Sequence, residues 1–382
     1  MASIKLKGDT SGELTIQAPS VAGTNTLNLP ASSGTLATTA QASIGMKNRI
    51  INGNMTIDQR NAGASLTITA NPQYTLDRWY AGVTNASKIS VQQSSTAPTG
   101  FTKSMLVTSL AATTPGTSEL YYMQQSIEGY NVSDLDFGLV TAKTITISFW
   151  VRSSLTGAFG AVLLNASSNR SFPFNYTISI ANTWTKITQT IIGDTTGTWA
   201  TDNSVGFQLR FGLGAGATYQ GTAGSWGTTN AVTTTGATSV VGTSGATWYV
   251  TGVQLEAGTT ATDFENLQYG QQLALCQRYY WKWIPITGYN MIGAGYASSS
   301  TYAYIVTTNP VPMRSAPTLA SGGSFRLCSN TCNAVTGISI AASGLYTNFL
   351  NATTASGMTA GYAQTLGDNN DTAAYIGFSS EL

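Results

Sequence analysis

The chain has 382 residues, of which 9% are charged, with 17 Lys and Arg against 16 Asp and Glu and no histidine. A net charge of +1 carries no electrostatic footprint for DNA, RNA or an anionic membrane surface, and the missing histidine excludes Ser-His and Cys-His catalytic devices. No stretch approaches the roughly 20 apolar residues of a membrane helix, and the start, MASIKLKGDT, lacks the apolar h-region of a secretory signal, so a soluble chain made in a cytoplasm and not inserted in a membrane is expected.

At a soft prior of roughly 150 residues per domain, two or three domains are expected. Glycine, Thr, Ser and Asn are abundant and the apolar residues come in brief alternating runs, which reads as an all-β fold. Residues 1–45 form a short β segment: apolar and polar positions alternate at Leu14 and Ile16 and again at Leu27 and Leu29, with Pro19, Gly23, Pro30 and Gly34 as punctuation and an Ala/Thr/Gln linker from Ala37 to Ser43. So small a segment buries too little to fold alone and draws its core from symmetry mates or a partner; the alternative is a flexible tail.

Residues 46–269 read as a jelly-roll β-sandwich of about eight strands. The run TITISFWVRSS puts Ile145, Ile147, Phe149 and Val151 on one face and Thr146, Ser148, Trp150 and Arg152 on the other. SMLVTSL, NYTISI, WTKITQTII, VGFQLRFGL and TWYVTGVQLEAG follow the same pattern. Residues 221–245, rich in turn formers and poor in bulk, predict a long exposed loop, and Trp226 within it has no obvious local core.

Residues 270–382 open with a short connecting helix, Gly270 to Tyr280, on which Leu273, Cys276 and Tyr280 make an apolar stripe. That stripe packs along a threefold axis, or caps the sandwich within one chain, and the aromatics after it seed the core of a distal β domain. YAYIV, GSFRLC, ISI and AAYIGFSS are its strands, while Pro310, Pro312 and Pro317 exclude a helix between them.

Three cysteines are too few for a disulfide framework, and without histidine they make no zinc site. Cys276 reads as a buried small hydrophobe, whereas Cys328 and Cys332 stand close enough to pair across a turn or to remain thiols. Neither cofactor nor metal is expected. Asp368, Asn369, Asn370 and Asp371 form an acidic turn that offers hard oxygens but lacks the spacing of a calcium loop.

Several long strings resemble bacteriophage tail fibres and related virion appendages. GDTSGELTIQAPSVAGTNTLNLPASSGTLAT resembles their N-terminal module, and NRIINGNMTIDQRNAGASLTI with YTLDRWYA resembles the start of their jelly-roll domain. VQLEAGTTATDFENLQYGQQLALCQRYYWK is similar to its exit, and PVPMRSAPTL with AAYIGFSSEL to the distal domain. The resemblance implies a virion protein: a homotrimer docked on a tail or baseplate protein through residues 1–45, with the distal domain facing the host and binding its surface polysaccharide or lipopolysaccharide. A structural fibre or adaptor, and a depolymerising tailspike, are the alternatives.

Glycoside hydrolysis usually needs two carboxylates roughly 5 to 10 Å apart. Asp134 with Asp136, and Asp263 with Glu265, are the candidate pairs, and the second is better suited to satisfying backbone donors or capping the helix. No period of roughly 20 residues suggests a β-helix. The expectation is therefore a non-enzymatic binder, with Trp226 on the sandwich and Tyr289, Tyr296, Tyr302, Tyr304, Tyr346 and Tyr362 on the tip as glycan contacts. Alternation in TYAYIV places Tyr302 and Tyr304 on one face, inward or outward.

Overall fold

Ile145, Ile147, Phe149 and Val151 are all fully buried, as the alternation of their strand requires. The computed structural model describes residues 3–7, 13–17 and 46–382, and the chain divides into two units, Met1–Ile44 and Gly45–Leu382. In the first unit Ser3–Lys7 pairs antiparallel with Glu13–Gln17, Ile4 opposite Ile16 and Leu6 opposite Leu14. The expected strand around Leu27 and Leu29 and the linker from Ala37 to Ser43 lie outside the described residues.

In the second unit two six-stranded antiparallel sheets face each other. One runs, in spatial order, Ser171–Ile178, Gly157–Asn165, Val205–Ala215, Leu120–Glu128, Trp79–Val83 and Gln73–Tyr74. The other runs Thr185–Ile191, Ile145–Ser153, Thr247–Ala257, Ser104–Ser109, Ile89–Ser94 and Leu66–Thr67. The chain passes repeatedly from sheet to sheet, as in a jelly roll. Between them lies an aromatic core in which Phe211 meets Phe149 at 5.1 Å and Trp248 at 5.4 Å. The indole N–H of Trp248 donates to the Tyr176 hydroxyl at 3.1 Å, so this core leaves no indole donor unpaired at its centre.

Both sheets are also partly covered on their outer faces, which alternation alone does not anticipate. Thr146 and Ser148, expected to face water, are buried, because the chain beyond Ala257 folds back: Thr146 donates to Gly258 O at 2.8 Å, and Thr262 donates to the Glu256 carboxylate at 2.6 Å. Residues 221–245 are exposed over about half their length, as expected, but they do not form an open loop throughout. They strap the other sheet, burying Val232 against Tyr80 and Tyr122, and Ala231 against Val162 and Leu164. A parallel two-residue pairing, Gln220–Gly221 with Thr233–Thr234, holds the strap to itself.

The helix is Tyr269–Gln277, capped by reciprocal side-chain bonds of Gln268 and Gln271. Tyr280 is not on its stripe, since the chain has already entered the strand Tyr280–Trp283. Tyr279 takes that place, and with Cys276 and Leu273 it packs against Ile51, Ile57 and Leu382. Within the single chain, then, the helix caps the sandwich. Tyr280–Trp283, Tyr375–Ser379 and Thr318–Gly322 form a three-stranded sheet in which Trp281 stacks on Phe378 at 4.8 Å, so the aromatics after the helix do enter the distal core. A closed barrel follows, in the order Met291–Ala297, Tyr302–Thr308, Thr347–Thr354, Cys332–Ser343, Phe325–Cys328 and Ala363–Asp368. Cys328 and Cys332 face each other across its hairpin and are disulfide-bonded.

Sandwich and distal sheet meet through buried charge. Glu381 pairs with Arg60 at 2.9 Å and with the fully buried Arg78, and Arg278 and Tyr279 both bond the Glu128 carboxylate. Burial beside this junction pushes the Asp77 carboxyl up to about 7, against the hydrogen bonds from Gln59 and the nearby Arg60 that pull it down. The folded state thus holds a proton that the unfolded chain has already lost between about pH 4 and pH 7. Stability should fall as pH rises across that interval, by at most about 1.4 kcal/mol per pH unit from this group. Urea unfolding at pH 5 and pH 8 checks it: Asp77→Asn should show a flatter dependence than the native chain.

Candidate functional site

Alternation in the barrel strand Tyr302–Thr308 sends Ala303, Ile305 and Thr307 into the barrel, where all three are buried, and leaves Tyr302, Tyr304 and Val306 outside. The antiparallel register sets Tyr296 opposite Tyr304 on one side, and Asn351 opposite Tyr304 on the other. Rings therefore accumulate on one outer wall. Tyr304 lies 5.6 Å from Tyr296, 5.2 Å from Tyr302 and 4.9 Å from Phe349, on which it stacks. Beside them the hydroxyls of Thr353 and Thr336 share a hydrogen bond of 3.0 Å.

Glycine makes this wall possible. A Cβ on Gly295 would stand 1.8 Å from the carbonyl oxygen of Tyr304, so only a residue without a side chain allows the two strands to close there. Gly295→Ala is expected to destabilise the protein by roughly 1–3 kcal/mol through overpacking, measured by chemical denaturation.

The wall gathers Tyr296, Tyr302 and Tyr304 but not the other three tyrosines. Tyr289 sits in a turn at positive φ with the Arg326 guanidinium 4.1 Å above its ring. Tyr346 lies at the turn before Thr347–Thr354, and Tyr362 precedes Ala363–Asp368, its carbonyl accepting from Ala297 N at 2.9 Å. All three are exposed. Phe349 is the member that sequence reading missed; its signal was the alternation of TNFLNATT, which puts it on the same side as Asn351 and Thr353.

Trp226 is not the isolated indole its neighbours suggest. Its ring lies 5.3 Å from Phe172, 5.5 Å from Trp199 and 5.9 Å from Phe137, and its N–H donates to Ile192 O at 2.8 Å. The small residues around it in sequence provide no core, but three distant segments do. A concavity on the sandwich lies elsewhere, a cavity of about 400 Å³ where Thr114, Thr117, Gln220, Thr233, Thr238 and Ser239 contribute polar groups. The Ser239 hydroxyl is buried there without a hydrogen-bond partner.

The carboxylates are mostly engaged. Asp134 sits in the 3-10 turn Ser133–Leu135 and pairs with Arg49 at 2.8 Å, while Asp136, at positive φ, ends the turn. Glu265 accepts Asn48 N at 2.8 Å, the backbone role expected of its pair, though the helix is capped by Gln268. Asp368 accepts from the backbone N–H of Tyr289 at 2.7 Å and Asn290 at 2.6 Å. Burial works to raise its pKa, and these bonds with that of Asp371 N outweigh it and hold the carboxyl below its ordinary range. Asp371 in turn accepts Ser324 N at 2.8 Å, so the acidic turn is an Asx-type backbone tie.

No protein-family model matches the chain, and no curated protein sequence matches it. Several solved structures are similar in part. The enzymatically active domain of tailspike protein 4 of bacteriophage CBA120 aligns at 12% identity and TM-score 0.31, over 55% of this chain and 21% of that one. The chain thus spans about a fifth of that protein. A protein from Bacteroides thetaiotaomicron aligns at 12% identity and TM-score 0.34, over 56% of this chain and 100% of that one. A family 11 carbohydrate-binding module from Clostridium thermocellum, in complex with a mixed-linked tetrasaccharide, aligns at 14% identity and TM-score 0.27, over 53% and 100%.

Proposed function

We propose that this chain is a bacteriophage tail fibre that binds host-surface glycan without cleaving it. Residues 1–45 attach it to a tail or baseplate protein, three copies associate, and the distal barrel presents its tyrosine wall to the host polysaccharide or lipopolysaccharide. The observation that carries this reading is the contiguous set Tyr296, Tyr302, Tyr304 and Phe349 on an outer wall with neutral hydroxyl and amide neighbours. Ring faces stack on the apolar faces of sugars, and neutral hydroxyls and amides bond their hydroxyls. A site of this kind needs only millimolar affinity, about −4 kcal/mol, because several sites on a trimer and several trimers on a virion raise avidity by about 10² to 10⁴.

The test is retention on bacterial cells and on their extracted capsule and lipopolysaccharide, with release of reducing ends followed in parallel. Saturable retention without new ends, weakened about tenfold or more by Tyr304→Ala and little by Tyr346→Ala, is expected. New reducing ends would establish a depolymerase in its place. Retention indifferent to Tyr304 and Tyr296 would remove the barrel wall as the site, and neither signal would leave a structural adaptor.

A further inference from the structure

A second cavity lies at the junction of the sandwich and the C-terminal sheet. Arg60 from the sandwich and Lys282, Tyr280 and Tyr375 from the distal sheet line a cavity of about 320 Å³, with Thr318 and Ser379 on its rim. Two cations stand in this wall and no carboxylate does. The nearest acids are already occupied: Glu381 serves both Arg60 and Arg78, and Asp58 accepts Asn61 N at 3.0 Å and Gly63 N at 2.8 Å. Asp77, beside Arg60, is held by Gln59.

The two cations are not fully used by the fold. Lys282 Nζ donates to a neutral acceptor, Arg60 O at 2.9 Å, and rests 4.6 Å from the centre of the Tyr375 ring. Arg60 spends one terminal nitrogen on Glu381 and lays its guanidinium 3.5 Å from the centre of the Tyr280 ring, but its Nε is buried and has no hydrogen-bond partner. The volume is at the small end of the range for small-ligand sites, roughly 300–1,000 Å³, and suits one monosaccharide unit with its water.

From this geometry we propose that the junction cavity binds the carboxylate of an acidic sugar residue of the hexuronate type. Its carboxylate meets Lys282 Nζ in the positive field of the Arg60 guanidinium, and its ring lies beside Tyr280 and Tyr375, with the Ser379 hydroxyl on a sugar hydroxyl. The proposal rests on the glycan-binding reading and extends it: the barrel wall takes neutral rings, and the junction selects chains that also carry uronic acid.

The full chain is titrated with sodium galacturonate at low ionic strength and followed by saturation-transfer NMR, with galactose, acetate and inorganic phosphate as parallel probes. Galacturonate should bind more tightly than all three, and Lys282→Gln should weaken it by about tenfold or more, as expected for loss of a charge-assisted bond. Lys282→Arg should restore most of the affinity. If Lys282→Gln lowers the unfolding midpoint, Lys282→Met, which keeps an apolar stem over Tyr375, replaces it. Galacturonate binding that is absent, or unchanged in these neutral variants, overturns the site. Equal binding of acetate or phosphate, lost with Lys282, overturns the sugar and leaves an unselective anion cavity. Retention on cells with Tyr304→Ala reads the barrel wall, and the difference between galacturonate and galactose with Lys282→Gln reads the junction, so a failure of the barrel wall and a failure here are distinguished.

Discussion

Glu381→Ala is expected to cost about 3–5 kcal/mol of folding stability, among the larger losses available to any single side chain in this protein. The carboxylate is 5% exposed and pairs with two guanidiniums, of which Arg78 is 1% exposed and Arg60 15%. Arg78 has little other support: a bond to Ser126 O and a place 3.6 Å from the centre of the Tyr279 ring, with its Nε buried and unpartnered. Removing the carboxylate strands a cation where water cannot reach it, and that penalty exceeds any pairing energy lost. Urea unfolding of the native chain, Glu381→Leu, Arg78→Met and the double variant Arg78→Met with Glu381→Leu, alongside Glu381→Ala, separates the two. If stranded charge is the cause, the double variant is much more stable than the sum of the single losses predicts. Additive losses would mean that packing, not charge, fastens the C-terminal region to the sandwich.

Arg210→Met should destabilise the protein by about 3 kcal/mol and loosen residues 221–245 before the rest unfolds. Arg210 is buried on the outer face of its sheet without a carboxylate partner. It makes five bonds instead, to Gln124, Asn230, Ala231 O, Ser168 and Gln208, which uses every N–H a guanidinium has. Two of these partners, Asn230 and Ala231, belong to the strap, so the side chain rivets strap to sheet. Methionine fills similar volume but leaves the buried acceptors Gln124 Oε1 and Ala231 O without their donor. Hydrogen exchange on the variant should show early opening of the strap, and the sandwich cavity near Thr233 and Ser239 should lose its shape with it. Uniform loss of protection across both sheets would contradict the rivet.

Much of this fold was legible because strand alternation is a local property. Ile145 to Val151 declared their inner face, the aromatics after the helix entered the distal core, and Tyr302 and Tyr304 shared one side, all from a period of two along the chain. What failed depended on residues far apart. Trp226 reads as exposed beside Gly and Ser, yet Phe137, Phe172 and Trp199 reach it from other segments. Residues 221–245 read as open loop, yet a sheet face needs cover, and Val232 and Ala231 provide it. Tyr280 fits the helical stripe by spacing, but pairing with Ser379 in the distal sheet ends the helix first.

The sequence by itself therefore determined an all-β chain with a sandwich, one short helix and a distal β region, because hydrophobic period and turn chemistry act over a few residues. Which face of TYAYIV looks outward, whose rings join Tyr304, and that Arg60 and Lys282 share one cavity were decided only by tertiary structure. Register and packing across residue separations such as the 222 between Arg60 and Lys282 leave no trace in local pattern.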